Sequence, residues 1–360
     1  MKTTGFIYQS WWKVLGALLM LYTYVVGFYV PLRPGIEEVS KVVLTSGEAY
    51  SIDVKAYNAN FLHEDSKLAA YLRVDSEHLT RVPYVTVTDR NTINLKGQVP
   101  SEFPSADDDV LHASLVLQDQ VDGFIVYPPG VVIQQADVPS SSIATWDDRL
   151  AADHSEWTFK FPYVGNLWET VRNTFFHVAI WMAMFVLLIV SLIYSIRYLR
   201  SADLYHDAIA SSFTEVAMVL GMAGMITGSF WAKATWGTYW TNDPKLNMSA
   251  VAVMIYMAYL ILRGSLSHQD QRAKVSAAYN IFAFVAMIPL IFIIPRLTDS
   301  MHPGNGGNPA LGGDDLDSTL RLVFYPTIIG YTLMSVWLSS LIYRIKRLRI
   351  KRLEKRLQVS

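Results

Sequence analysis

Six runs of apolar residues, most of them long enough to cross a bilayer, constrain this chain more than any other feature. They cover approximately residues 11–32, 173–196, 208–230, 248–262, 277–294 and 322–343. A helix needs roughly 20 apolar residues to span the hydrocarbon. The fourth run is short, but Tyr256, Tyr259 and Arg263 are suitable interface anchors for it. Backbone within lipid must satisfy its own hydrogen bonds, so such runs fold as helices and pack into a bundle. A cleaved signal peptide is the competing reading of the first run. That run is long and rich in aromatics and lacks a clear small-residue cleavage site, which favours a retained anchor.

Between the first and second runs the texture changes. Tyr50-Ser51-Ile52-Asp53-Val54-Lys55-Ala56 and Tyr84-Val85-Thr86-Val87-Thr88 alternate as half-buried strands do. His112-Ala113-Ser114-Leu115-Val116-Leu117 and Phe124-Ile125-Val126-Tyr127 read the same way, and polar Pro/Gly turns separate them. About 130 residues of this kind predict a small β-sandwich. Gly35-Ile36-Glu37-Glu38-Val39-Ser40 followed by Gly47-Glu48 loosely resembles the opening of immunoglobulin-like modules. The expected fold is thus an α-helical integral membrane protein of six transmembrane helices, with an extracytoplasmic β-sandwich-like domain inserted after the first. The expected divisions are an anchor over 1–32, the β-domain over 33–165, a five-helix membrane domain over 166–345 and a basic tail over 346–360.

The positive-inside rule orients this arrangement. The tail Arg344-Ile345-Lys346-Arg347-Leu348-Arg349-Ile350-Lys351-Arg352 is densely basic, whereas Asp299, Asp314, Asp315 and Asp317 make the segment before the last span acidic. Six spans then put both termini in the cytoplasm and the β-domain outside. The tail itself reads as an anchor on anionic membrane lipid, with no nucleic-acid partner. The chain contains no cysteine, which excludes disulfides, thiolate metal ligands, thiol nucleophiles and heme attachment through Cys-x-x-Cys-His. No Walker A, EF-hand or His-Glu-x-x-His pattern occurs either.

Topology sorts the histidines. His206 and His268 fall in cytoplasmic connectors, and His63, His78, His112 and His154 are scattered through the β-domain as surface or turn residues. His177, near the outer end of the second span, and His302, in the loop after the fifth, converge on one membrane face. The tryptophan-rich connector 227–246, with Trp231, Trp236, Trp240 and Asp243, belongs to the same face. Two neutral imidazoles can supply both axial ligands of heme iron. Indole rings give a porphyrin a flat apolar surface. Arg172, Lys233, Lys245 and Arg296 are available for its two propionates. The competing reading of the same residues is an interfacial aromatic belt with two incidental histidines.

Ile226-Thr227-Gly228-Ser229-Phe230-Trp231-Ala232-Lys233-Ala234-Thr235-Trp236-Gly237-Thr238-Tyr239-Trp240 resembles the tryptophan-rich signature of the heme-handling superfamily of cytochrome c maturation. The similarity runs over roughly 172–344 and is to the heme exporter protein C (CcmC) type; the segments around His177 and Met301-His302-Pro303-Gly304 resemble its two histidine segments. Asn242-Asp243-Pro244-Lys245 stands where that family carries Trp-Asp-Ala-Arg. The resemblance implies non-covalent binding of heme b, with His177 and His302 as iron ligands and Trp231, Trp236, Trp240 and Asp243 as the platform. Arg172 and Lys245 complete the cofactor-binding set expected on this reading. It implies presentation of heme to a periplasmic heme chaperone of the CcmE type, beside ABC transporter subunits of the CcmA and CcmB type, at the bacterial inner membrane. No bond chemistry of its own is expected. Two other functions fit the same sequence class. One is a membrane b-type cytochrome, which would want histidines deep in the spans that this chain lacks. The other is a transporter or sensor component whose β-domain recognises an extracytoplasmic partner.

Overall fold

The computed structural model describes residues 3–104, 109–136, 142–150, 159–165, 167–302 and 316–359. His154, Pro303, Gly304, Asp314 and Asp315 lie outside the described residues. Contacts divide the chain into two units, Pro31–Trp168 on one side and Met1–Val30 with Glu169–Ser360 on the other.

The first unit is all β. Its strands are β1 (Gly35–Val39), β2 (Val43–Thr45), β3 (Ala49–Tyr57), β4 (Ala69–Arg73), β5 (Leu79–Arg81), β6 (Tyr84–Val87), β7 (Thr92–Gln98), β8 (Val110–Asp119) and β9 (Gly123–Gln134). They form a sheet of order β1-β3-β7-β6 and a second of order β2-β9-β8-β4-β5. All pairings are antiparallel except β2 with β9, because the chain crosses between sheets after β1. Lettered in chain order, with β2 continuing β1 in the opposite sheet, these are the A-B-E-D and C-F-G arrangements of an immunoglobulin-type sandwich. No disulfide pins the sheets together. Ile52, Val54 and Leu95 from one sheet instead bury themselves against Leu72, Leu115 and Leu117 from the other. The strand β9 carries Pro128-Pro129, which cannot serve a ladder. The register accordingly shifts between Ala113 and Leu115 on the facing strand, and Tyr127 and Val131 resume pairing on either side. Among the unit's histidines, His78 bonds Asp75 at 2.8 Å. With the backbone N–H groups of Glu77 and His78, it holds the Asp75 carboxyl at about 2.

The second unit is a helical bundle with six helices long and apolar enough to cross a membrane. They are α1 (Thr3–Tyr29), α2 (Ala179–Ser201), α3 (Leu204–Trp236), α4 (Pro244–Ser265), α5 (Gln269–Ile288) and α6 (Ser318–Val359). This is an integral membrane protein with an inserted β-domain. A π-helical turn, Thr174–Val178, leads into α2, and another, Pro289–Ile293, follows α5.

Helix α1 packs along α6 through small residues. A Cβ built on Gly16 would stand 3.0 Å from that of Leu333, and one on Gly330 would stand 3.1 Å from that of Leu19. Thr23 and Thr327 bond across the same seam at 2.8 Å. Such small-residue contacts let helices approach where lipid offers no hydrophobic drive to associate. Arg172, just ahead of α2, closes the end of α1 by donating Nη1–H to the carbonyls of Gly27 (2.8 Å) and Val30 (2.7 Å). Asn280 on α5 is fully buried and donates to Ser191 and Ser195 on α2, both at 2.8 Å.

Two sequence expectations change. The third span does not stop at 230: α3 continues to Trp236, so Trp231 and Trp236 sit on a helix and only 237–243 connect. Ala232, Lys233 and Ala234 are good helix formers, and Gly237, at φ +78°, is the residue that ends the helix. The basic tail is likewise no separate segment, since α6 runs unbroken to Val359. Lys346 turns inward from it to Glu215 (2.6 Å) and Ser211 (2.8 Å) on α3, while Arg263 on α4 makes a two-pronged pair with Asp207, 2.7 Å on each arm.

The α1–α6 seam is directly testable in a chain without cysteine. A Leu19→Cys/Gly330→Cys variant should lose both titratable thiols on mild oxidation, because the Cβ atoms are close enough to bridge with a small adjustment. Two persistent thiols would contradict this packing.

Candidate functional site

The end of the bundle where α2 begins and α3 ends is where the aromatic and imidazole groups gather. His177 sits in the π turn ahead of α2, and π turns of this kind recur at functional sites. It faces α3 across a ladder of glycines. A Cβ on Gly221 would meet Met184 Sδ at 3.1 Å, one on Gly224 would meet Trp181 Nε1 at 2.7 Å, and one on Gly228 would meet His177 Cε1 at 2.7 Å. Large residues spaced every turn along the start of α2 therefore seat against glycines spaced every turn along α3. Trp181 and the glycines were not singled out in the sequence. The Gly221-x-x-Gly224-x-x-x-Gly228 spacing is the signal that marks them.

The His177 ring is held against α3, with the Gly224 backbone among its hydrogen-bond partners. Its Nδ1 lies 3.1 Å from Thr227 Oγ1, and the edge of Trp181 stands against it with ring centres 6.3 Å apart. The His302 ring lies 6.4 Å from that of His177, centre to centre, and is tilted by 41°. Trp231 and Trp236, edge-on to one another at 5.0 Å, both approach His302, at 5.7 and 6.5 Å. These four side chains form one cluster, and each was expected from the sequence.

Asp243 does something more specific than line a surface. It is 3% exposed. Its Oδ1 accepts from the backbone N–H of Lys245 (2.9 Å) and Leu246 (3.3 Å), capping α4, and Pro244 fills the first helical position. Its Oδ2 accepts from the N–H of Met301 at 2.9 Å. One carboxylate thus ties the end of the tryptophan-rich connector to the residue next to His302.

The remaining expected residues are distributed differently. Trp240 is on the connector with Nε1 bonded to Asn247 Oδ1 at 3.2 Å, and no described ring contact joins it to the imidazoles. Lys245 is in the first turn of α4, where its backbone N–H bonds the Asp243 carboxylate. Arg172 directs Nη1 to the end of α1 and Nε to Glu169. Lys233 donates to the Gly237 carbonyl at 2.7 Å, as a cation at a helix C-terminus does. His206 and His268 lie at the other end of the helices, where His206 bonds Ser201 at 3.0 Å and His268 precedes α5.

The donor set suits one kind of metal group. Among the described residues no three His, Cys, Asp or Glu side chains converge on a point. A structural zinc site takes about four protein ligands, whereas the porphyrin fills all but the axial positions of heme iron. An imidazole nitrogen holds such a metal at about 2 Å, so two imidazoles on opposite sides of one iron have centres roughly 6 Å apart. The observed separation of 6.4 Å fits that geometry, and flanking indoles supply the flat apolar contact.

Comparison with known proteins points the same way. Residues 166–302 match the family model described as cytochrome C assembly protein, a stretch that opens just ahead of α2 and closes at His302. This part of the chain is similar to cytochrome c assembly proteins. The chain is 27% identical over 217 residues to heme exporter protein C of Rhodobacter capsulatus, covering 56% of this chain and 84% of that protein. With heme exporter protein C of Paracoccus denitrificans the identity is 26%, over 49% of this chain and 73% of that protein. A shorter stretch of 87 residues is 34% identical to cytochrome c biogenesis protein CcsA of Prochlorococcus marinus, 24% of this chain and 27% of that one. The β-domain precedes the stretch that carries the assembly-domain match.

Within the matched stretch, replacing Asp243 should separate its two tasks. Asp243→Ala is expected to cost about 1 kcal/mol through the lost α4 cap and to accelerate amide exchange at residues 299–302. Exchange there that matches wild type would show that the His302 segment is held by other contacts.

Proposed function

We propose that this protein holds heme b non-covalently between His177 and His302 and presents it for cytochrome c maturation at the outer face of a bacterial cytoplasmic membrane. The observation that carries the reading is the paired imidazoles, 6.4 Å apart with Trp231 and Trp236 beside them, within the stretch similar to cytochrome c assembly proteins. Relatives named heme exporter protein C support it.

Each residue has a task on this reading. His177 and His302 bind the iron as neutral donors. Trp231 and Trp236 cover the porphyrin and exclude water from the iron, and Trp240 extends that surface along the exposed connector. Lys245, in the first turn of α4 beside Asp243, meets a propionate. Arg172 contributes indirectly, by tying the end of α1 beside the segment that carries His177. Asp243 keeps His302 in register with the tryptophan segment. Heme held there by His177 and His302 would offer a vinyl group for a partner to take up.

The partners on this reading are a membrane-anchored heme chaperone of the CcmE type and ABC transporter subunits of the CcmA and CcmB type. The basic residues toward the end of α6 favour the cytoplasmic side beside anionic lipid, which supports an outward-facing His177–His302 end. The protein positions heme for transfer and makes or breaks no bond itself.

The visible spectrum of detergent-purified protein tests this. Wild type should show a Soret band with low-spin features, His177→Ala and His302→Ala should each alter it, and the double variant should abolish it. Wild-type protein without heme after heme-replete expression would refute the proposal.

A further inference from the structure

We propose that Thr227 is a positioning residue for His177: it fixes the proton on Nδ1 and so reserves Nε2 for the iron. The inference rests on the heme-binding reading above and adds the element that selects the ligating atom.

Thr227 is on α3, one helical turn before Trp231. Its hydroxyl has a single proton. The carbonyls of Ala223 and Gly224 stand 3.0 and 3.1 Å from Oγ1, where a helical threonine donates back to its preceding turn. Carbonyl oxygens can only accept, so those contacts claim the hydroxyl proton. The contact from Oγ1 to His177 Nδ1 at 3.1 Å can then be made only with Nδ1–H donating. A neutral imidazole protonated at Nδ1 carries its lone pair at Nε2, the atom that can bind a metal. The opposite tautomer would put the proton on Nε2 and remove the donor. It would also require Thr227 to give up its carbonyl bonds, inside a bundle where water does not compensate.

Gly228 makes the arrangement sterically possible. A Cβ there would lie 2.7 Å from Cε1 and 3.3 Å from Nδ1 of His177, so the ring rests on bare helix backbone beside the hydroxyl. Trp181 borders the ring on another side. The seat therefore fixes ring position through Gly228 and Trp181, and ring chemistry through Thr227. Partners of this kind orient metal-binding histidines and raise their basicity, and losing one weakens metal binding about 10- to 100-fold.

The test compares full-length wild type, Thr227→Val, Thr227→Ser and His177→Ala in detergent by hemin titration and redox titration. Valine matches threonine in shape without an acceptor oxygen, and serine restores the oxygen. Thr227→Val should bind hemin about 10- to 100-fold more weakly and shift the reduction potential upward, since a less basic imidazole favours ferric iron less. Thr227→Ser should return both to wild type. Wild-type affinity and potential in Thr227→Val, beside an altered His177→Ala spectrum, would overturn this inference alone. Weaker binding with an unchanged potential would also overturn it, since that is the mark of packing. A His177→Ala protein that keeps the wild-type spectrum would overturn the ligand assignment and this inference together.

Discussion

Helix α2 lies against the glycine face of α3, and the arrangement of the bundle's functional end rests on that contact. Gly221, Gly224 and Gly228 leave room for Met184, Trp181 and His177, with built Cβ atoms meeting them at 2.7–3.1 Å. A larger residue at Gly224 or Gly228 would force Trp181 or His177 to shift, and an overpacked contact of this kind typically costs about 1–3 kcal/mol. Within lipid, helices gain little from burying apolar side chains, because the solvent is itself apolar. Close approach and interhelical hydrogen bonds decide how they associate. The imidazole is therefore placed by backbone proximity, and the hydroxyl beside it sets its hydrogen bonding.

The polar groups of the bundle are partitioned by depth. Asn280, Ser191, Ser195 and Thr214 form a neutral hydrogen-bonded node in the interior, and Ser191 and Thr214 meet at 2.6 Å. Full charges appear toward the opposite end from His177, where Asp207 pairs with Arg263 and Glu215 with Lys346. Charge left unpaired at such a position is expensive, so each is matched by a partner from another helix. These pairs join α3 to α4 and α6 and lie away from the imidazoles, which are bordered by indole rings. That division suits a site for a large, flat, mostly apolar group.

The β-domain stands on a separate solution to the stability problem. It holds an immunoglobulin-type strand order without a disulfide, so interdigitated Ile, Val and Leu side chains from the two sheets supply its cohesion. It is inserted where the chain leaves the bundle at α1 and returns ahead of α2. Arg172 ties the last carbonyls of α1 to the return segment, which keeps the two chain crossings together at one end of the bundle.

The sequence by itself determined the class of the protein and which rings gather at one end of the bundle. Six apolar runs dictate six helices, since no other open structure satisfies backbone hydrogen bonds in lipid. Alternation in 50–56 and 112–117 dictates strands with one buried face. His177, His302, Trp231 and Trp236 could be named as a cluster because their spans end on one face. Only the tertiary structure decided what the polar residues among them do. Asp243 reads as a platform residue until its two oxygens are seen capping α4 and holding Met301. Arg172 reads as a free cation until the end of α1 is found beside it. Thr227 and the three glycines carry no chemistry in a linear reading, and Lys346 reads as one more basic residue of a tail. The reason is physical. Hydrophobic periodicity is written locally in the chain, but a hydrogen bond depends on which distant donor or acceptor the packing brings within about 3 Å.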